Sequence, residues 1–328
     1  MELVLNRIRD WTLEQGVTQS ELATKDACGF KWNLKYNNGL RVPGHWNWTT
    51  AVGTAVHEFL DLRYNGHEAD PNVVRWPAIS EELNRTMQWE NDFEYWTHVI
   101  IGMQNAYIRR YAFEIEEFDI EAAEQIVHRK FMGFDLEGMI DLRASRLASS
   151  KRQRKFMMDH KVTTRPELIA PQGWGFKFQF MFYNWLVAPL ISEPVWDFGI
   201  NVIRKPMLRP AKTETMDNFS KRCELDYYKR PEFYYLREFV PVTMSMVETF
   251  EETVLKPKLE WYRQQVEEGG PSLFNKNTNN CFMYNATCEF LDLCRDGDIS
   301  LFMYEQTLAK HSELQGEKEH IYVKENTH

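Results

Sequence analysis

The chain of 328 residues is 43% hydrophobic and 14% aromatic, which supplies a large core and excludes a disordered chain. Its 39 Lys and Arg against 48 Asp and Glu leave a net charge of −9 and exclude a general polyanion binder, so any contact with nucleic acid must rest on local patches. Five cysteines, an odd number, do not form a secreted disulfide framework, and Met1–Asp10 lacks the apolar run of a signal peptide. The apolar stretch Phe178–Ile191 contains Asn184 and Pro189 and falls short of the roughly 20 residues that span a bilayer. The expectation is a soluble, intracellular, cytoplasmic protein with no membrane partner.

In chain order, Thr49–Tyr64 places Val52, Ala55, Val56, Phe59 and Leu60 at helical spacing, with Thr49 or Thr50 as N-cap. A second helical zone, rich in Trp and Tyr, covers Ile79–Phe113. Three strands follow at Ala123–Met132, Leu136–Ala144 and Lys155–Val162, forming a meander. Gln172–Val187 is an apolar helix, Trp196–Ile203 alternates as a strand, and Ser245–Glu268 is a long amphipathic helix. No Pro/Gly/Ser-rich linker divides the chain, so residues 1–308 are expected to form one domain, with a charged, mobile tail at 309–328.

The second and third strands carry the chemistry. One ends Gly138-Met-Ile-Asp141, the other Met158-Asp159-His160-Lys161. Asp159 and Lys161 are two apart and leave the same face of a strand, with His160 on the other. If Asp141 lies alongside, two carboxylates and an ammonium converge, and a divalent cation relieves the repulsion between the acids. Such a cation beside a lysine suits phosphodiester hydrolysis. Each short pattern alone is more often a turn or a surface ion pair. From Arg143 to Arg165 there are eight basic residues against one acid, and Lys151, Arg152, Arg154 and Lys155 lie in the loop before the acid pair, as a candidate phosphate-binding rim. His57 on the first helix, and Gln179 and Tyr183 four apart on the helix after Lys161, are ordinary when taken singly.

Taken in order, His57 in Gly-x-x-x-His, Asp141 in Gly-x-x-Asp, Asp159-His-Lys161 as Asp-x-Lys and Gln179-x-x-x-Tyr183 resemble the RecB-like branch of the PD-(D/E)xK nuclease superfamily, close to CRISPR-adaptation and phage-type exonucleases. The resemblance implies an α/β fold over about residues 50–205: a restriction-endonuclease-like core with a central mixed sheet flanked by helices, to which further helical regions are added. It makes Asp141, Asp159 and His57 metal ligands, with the backbone carbonyl of His160 as one more, and Mg²⁺ or Mn²⁺ the cofactor. Lys161 would orient or activate the attacking water and stabilise the phosphorus centre, while Gln179 and Tyr183 would hold the active-site loop or a phosphate. Many relatives have Glu where this chain has Asp159. Glu124 is a candidate outer acid.

Cys28 stands apart, while Cys281, Cys288 and Cys294 fall within fourteen residues flanked by Asn, Gly and Asp, which favours ligands over buried apolar fillers. A structural Zn site is one alternative, although no Cys-x-x-Cys knuckle occurs. The layout resembles the [4Fe–4S] clasp of the same nuclease branch, which joins the N- and C-terminal parts of the chain. Cys223 lies outside the pattern. The function expected from the resemblance is a metal-dependent DNA exonuclease acting on single strands or ends, with 5′→3′ as the favoured polarity and a recombination or annealing protein as a partner. The alternative is a catalytically silent DNA-binding or adaptor protein of the same fold.

Overall fold

The computed structural model describes residues 16–42, 47–77, 87–146, 154–166, 177–268, 274–283, 286–306, 314 and 318–323. Lys151, Arg152 and the expected helix starts at Ile79 and Gln172 lie outside them.

The sheet is built outward from a hairpin. Strands β2 (Phe118–Phe131) and β3 (Phe134–Arg146) are joined by Met132 and Gly133, both at positive φ (51° and 78°), as a two-residue hairpin turn requires. Strand β4 (Lys155–Thr163) pairs antiparallel with β3. The apolar helix α4 (Phe178–Ile191) then crosses over to β5 (Val195–Arg204), which runs parallel to β4, and β6 (Tyr235–Thr243) closes that edge. At the other edge β7 (His320–Val323) lies parallel to β2, and the short β1 (Val17–Thr18), which leads into helix α1 (Gln19–Ala27), pairs with β3 at Val17–Leu136. The seven-stranded sheet has the order β7-β2-β3-β4-β5-β6, with β1 off that path. This is the expected α/β architecture, a mixed sheet covered by helices on both faces.

Each face has its own core. On one side helices α2 (Trp48–Tyr64), α3 (Met87–Arg110) and α5 (Met216–Lys229) bury Val56, Phe59, Ile100, Met103 and Phe219 against Leu142, Ala144, Phe156 and Met158. On the other, α4 with α6 (Met244–Phe250) and α7 (Lys256–Glu268) packs Phe180, Trp185, Leu186, Phe250 and Leu259 against Leu136, Ile140, Met157 and Ile200. Alternate β4 residues thus enter opposite cores, the period-2 pattern of a strand buried on both sides.

Three expectations need correction. The N-cap of α2 is Asn47, whose Oδ1 accepts from the N–H of Thr49 (2.9 Å) and Thr50 (3.4 Å), rather than either threonine. The long C-terminal helix is interrupted by a π-helical turn at Glu251–Leu255. Residues 320–323, assigned from their charge to a mobile tail, form strand β7, because sheet pairing to a remote strand leaves no local signal. Among the described residues no helix is long and apolar enough to cross a membrane.

Candidate active site

Strand β3 changes face at the site. Leu136, Gly138 and Ile140 pack toward α4, whereas Leu142 and Ala144, of the same parity, pack toward α2 and α3. A regular strand cannot do this. The break falls at Asp141, where the β2–β3 pairs Ala123–Leu142 and Gln125–Ile140 skip Glu124 and Asp141. Glu124 has φ of 47°, the left-handed conformation that accompanies such an irregularity. Pairing between β3 and β4 runs only from Ser145–Lys155 to Leu142–Met158, one residue short of both aspartates. The two strands part there, and the acids line the gap.

From β4, Asp159 and Lys161 project toward α4 and His160 toward α2, as the alternation predicts. Lys161 Nζ lies 2.9 Å from Asp159 Oδ1 and 2.8 Å from Oδ2. The N–H of His160 donates to Asp141 Oδ2 at 2.7 Å, so the backbone of one strand orients the acid of the other. From α2, His57 places Nδ1 3.1 Å from Glu124 Oε1 and 3.7 Å from Asp141 Oδ2, with Nε2 3.1 Å from the carbonyl of His160. Ligand atoms of His57, Glu124 and Asp141 all lie within 4.8 Å of one another, a nitrogen and two oxygens that suit a divalent cation. Asp159, expected in that set, is held by Lys161 beside it. Glu124 is the member that sequence reasoning undervalued: its place on the first strand was visible, but its turn into the site comes from the backbone irregularity.

Helix α4 closes the site. Tyr183 hydrogen-bonds with Gln179 one turn earlier, and Lys161 sits close enough to act on its hydroxyl. Burial pushes the Tyr183 hydroxyl up to about 12, against the pull of Lys161.

The charges are tightly coupled. Burial drives Asp141 up to about 7; His57 draws it down, and Asp159 and Glu124 add to the rise. Burial opposes the charge on His57, but Asp141 and Glu124 outweigh it and raise His57 to about 9. Burial likewise opposes the Lys161 ammonium, and Asp159 and Asp141 reverse the balance, holding it above the ordinary lysine range. Lys161 is therefore a fixed positive charge rather than a proton acceptor. Burial would raise Glu124, yet His57 and Lys318 leave it below the usual range.

Behind the site, the His160 imidazole is 1% exposed and stacks on Tyr64 with ring centres 5.7 Å apart. Asn201 Nδ2 donates to its Nδ1 at 2.8 Å, and Arg237 Nε donates to Asn201 Oδ1 at 3.0 Å. Arg237 also pairs with the buried Glu114. Burial, with His57 beside it, holds His160 neutral.

Of the expected phosphate rim, Lys151 and Arg152 lie outside the described residues, and the other two cations are paired. Arg154 pairs with Asp197 (3.1 Å), Lys155 with Glu121 (3.4 Å), and Arg143 is buried against Glu121 and Gln125. By contrast, Cys28, Cys281, Cys288 and Cys294 all line one cavity of about 320 Å³, although the first stands far from the others in the chain. Cys223 is fully buried between α3 and α5 and behaves as an apolar filler.

A mixed sheet whose central strands part around two acids and a lysine, with a histidine-bearing helix on one side and a glutamine/tyrosine helix on the other, is the architecture of nucleases of the restriction-endonuclease type. The chain belongs to the PD-(D/E)XK nuclease superfamily, whose family model matches residues 16–295. No curated protein matches the chain. Among solved structures it is similar to a "Putative exonuclease" from Eubacterium rectale, at 13% identity and a TM-score of 0.45, covering 96% of this chain and 99% of that one.

Proposed function

We propose that the protein is a divalent-metal-dependent deoxyribonuclease, an exonuclease acting inside the cell on single-stranded DNA or DNA ends. The observation that carries this reading is the convergence of His57, Glu124 and Asp141 within 4.8 Å, beside the Asp159–Lys161 pair. The donor set, a buried and a partly exposed carboxylate with an imidazole, fits Mg²⁺ or Mn²⁺. When bound, such an ion supplies Lewis acidity toward a phosphate oxygen and a more acidic water.

The chain's own groups do the rest. Asp141 is preset by the His160 N–H, and the His160 carbonyl, on the next peptide unit, meets His57 Nε2. Lys161, fixed as a cation, lies where negative charge would grow on the phosphoryl oxygens, and Asp159 sets its direction. Tyr183 and Gln179 cover the Lys161 side of the cleft and can hold a phosphate of the strand. Digestion of DNA labelled at one end, single- and double-stranded, with and without Mn²⁺, tests the reading. Metal-dependent release of mononucleotides from one end is expected; binding without cleavage would instead mark a silent DNA-binding relative.

The four cysteines support membership of the RecB-like branch with an iron–sulfur clasp. Four thiols on one cavity of about 320 Å³ offer the donors that a [4Fe–4S] cluster takes, and more room than a single tetrahedral ion with sulfurs at about 2.3 Å uses.

A further inference from the structure

The C-terminal strand brings a second lysine to the site. β7 is zipped to β2 from His320–Ile126 to Val323–Arg129. Just before it, the Ile126 N–H donates to the Glu319 carbonyl at 2.9 Å, and Gln125 Nε2 donates to Glu319 Oε2 at 2.6 Å. His128 Nε2 and His320 Nδ1 are 3.0 Å apart, and the Tyr322 ring stacks on His128 at 4.5 Å. These contacts leave Lys318 Nζ 3.0 Å from Glu124 Oε2, while His57 sits 3.1 Å from Oε1. Glu124 is 4% exposed, and its backbone is in a conformation costly for a residue with a side chain, so it must be held by its surroundings.

We propose that Lys318 is a positioning residue of the candidate metal site, gripping the outer oxygen of Glu124 so that the inner one faces His57 and Asp141. The proposal rests on reading that site as the nuclease centre, and it makes the C-terminal strand part of it. Two effects of Lys318 oppose each other. Its charge repels a nearby cation, which would weaken metal binding, whereas an oriented carboxylate strengthens it. The buried, backbone-strained setting of Glu124 favours the orienting effect, because without Lys318 the carboxylate keeps, among the described residues, a partner on Oε1 alone.

The test is Mn²⁺ titration of the full-length protein, followed by loss of the free-ion EPR signal, for wild type, Lys318→Ala, Lys318→Gln, Lys318→Arg, Glu124→Gln and the Lys318→Ala/Glu124→Gln double variant. Removing Lys318 is expected to weaken Mn²⁺ binding about 10-fold, at the low end of what groups supporting a ligand contribute. Lys318→Arg should restore most of it. In the Glu124→Gln background, loss of Lys318 should change nothing further, since the two act as one unit. Lys318→Gln gives the same reading should the alanine variant not fold. Unchanged or tighter binding without Lys318, or an undiminished effect in the Glu124→Gln background, overturns the proposal. A wild type that binds Mn²⁺ but cleaves no DNA overturns the nuclease reading alone.

Discussion

Gly138 and Tyr183 touch so closely that no side chain fits between them: a Cβ on Gly138 would lie 2.9 Å from Tyr183 Cε1 and 3.0 Å from Leu186 Cδ1. The glycine that opens the Gly-x-x-Asp segment and the tyrosine that ends the Gln-x-x-x-Tyr segment thus form one contact. The helix can approach the strand carrying Asp141 only because position 138 lacks a side chain. Gly138→Ala should cost about 2 kcal/mol through overpacking, and Tyr183→Ala in the same chain should recover part of that loss. Thermal denaturation of the two single variants and the double variant measures both. Additive losses would show that the contact is not the reason for the glycine.

Lys161 should act on turnover rather than on folding. Removing one preorganised charge from a site of developing negative charge typically costs about 10²–10³ in rate. Lys161→Ala and Asp159→Ala are expected to retain the wild-type circular dichroism and lose at least that factor in single-turnover cleavage of end-labelled DNA. Near wild-type rates in both would remove the site assignment.

Metal affinity should rise with pH. His57 is raised to about 9 and Asp141 to about 7, so near neutrality a cation must displace protons. Mn²⁺ binding is therefore expected to tighten between about pH 7 and about pH 9, and titration calorimetry in buffers of different ionisation enthalpy should register proton release. For the metal-free protein the sign is opposite. Both groups hold protons more firmly folded than unfolded, where their values are 6.5 and 3.8, so their contribution to stability is lost as pH rises through about 7 and about 9. A pH-independent Mn²⁺ affinity would contradict the coupled site.

The buried ion pair behind His160 should be sensitive to the loss of one partner. Arg237→Met leaves Glu114, 4% exposed, with a charge that its remaining partner, the Tyr64 hydroxyl at 3.0 Å, cannot neutralise. A loss of about 3–5 kcal/mol is expected in denaturant unfolding, and replacing Glu114 by Leu in the same chain should reduce it.

The proposed iron–sulfur cluster predicts colour as well as stability. Anaerobically prepared protein should absorb in the visible through thiolate-to-iron charge transfer, and Cys28→Ser should abolish that band. A link between the chain ends closes a very long loop, so its loss should destabilise by on the order of 4–5 kcal/mol if loop-closure entropy dominates. Colourless protein with stoichiometric zinc would reject the cluster.

Much of this site was legible in sequence because its parts are local. The two-residue step from Asp159 to Lys161 puts both on one face of β4 in any sheet, and the four-residue step from Gln179 to Tyr183 does so on any helix. His160 was correctly sent to the opposite face by the same rule. The Asn47 cap, the π-helical turn and strand β7 were missed because each depends on competing local hydrogen bonds or on a remote partner. Counting charges in the basic run likewise does not reveal that Arg154, Lys155 and Arg143 face Asp197 and Glu121.

What the sequence determined by itself was therefore periodic: which residues form strands and helices, which faces they share, and the order of the acid, lysine and tyrosine segments. Only the tertiary structure decided that β3 switches faces at Asp141, that Glu124 turns into the gap, and that Lys318 arrives from 194 residues away to meet it. The reason is physical. Periodicity follows from backbone geometry within a few residues, whereas a break in strand pairing and a docked terminal strand follow from the packing of the whole sheet.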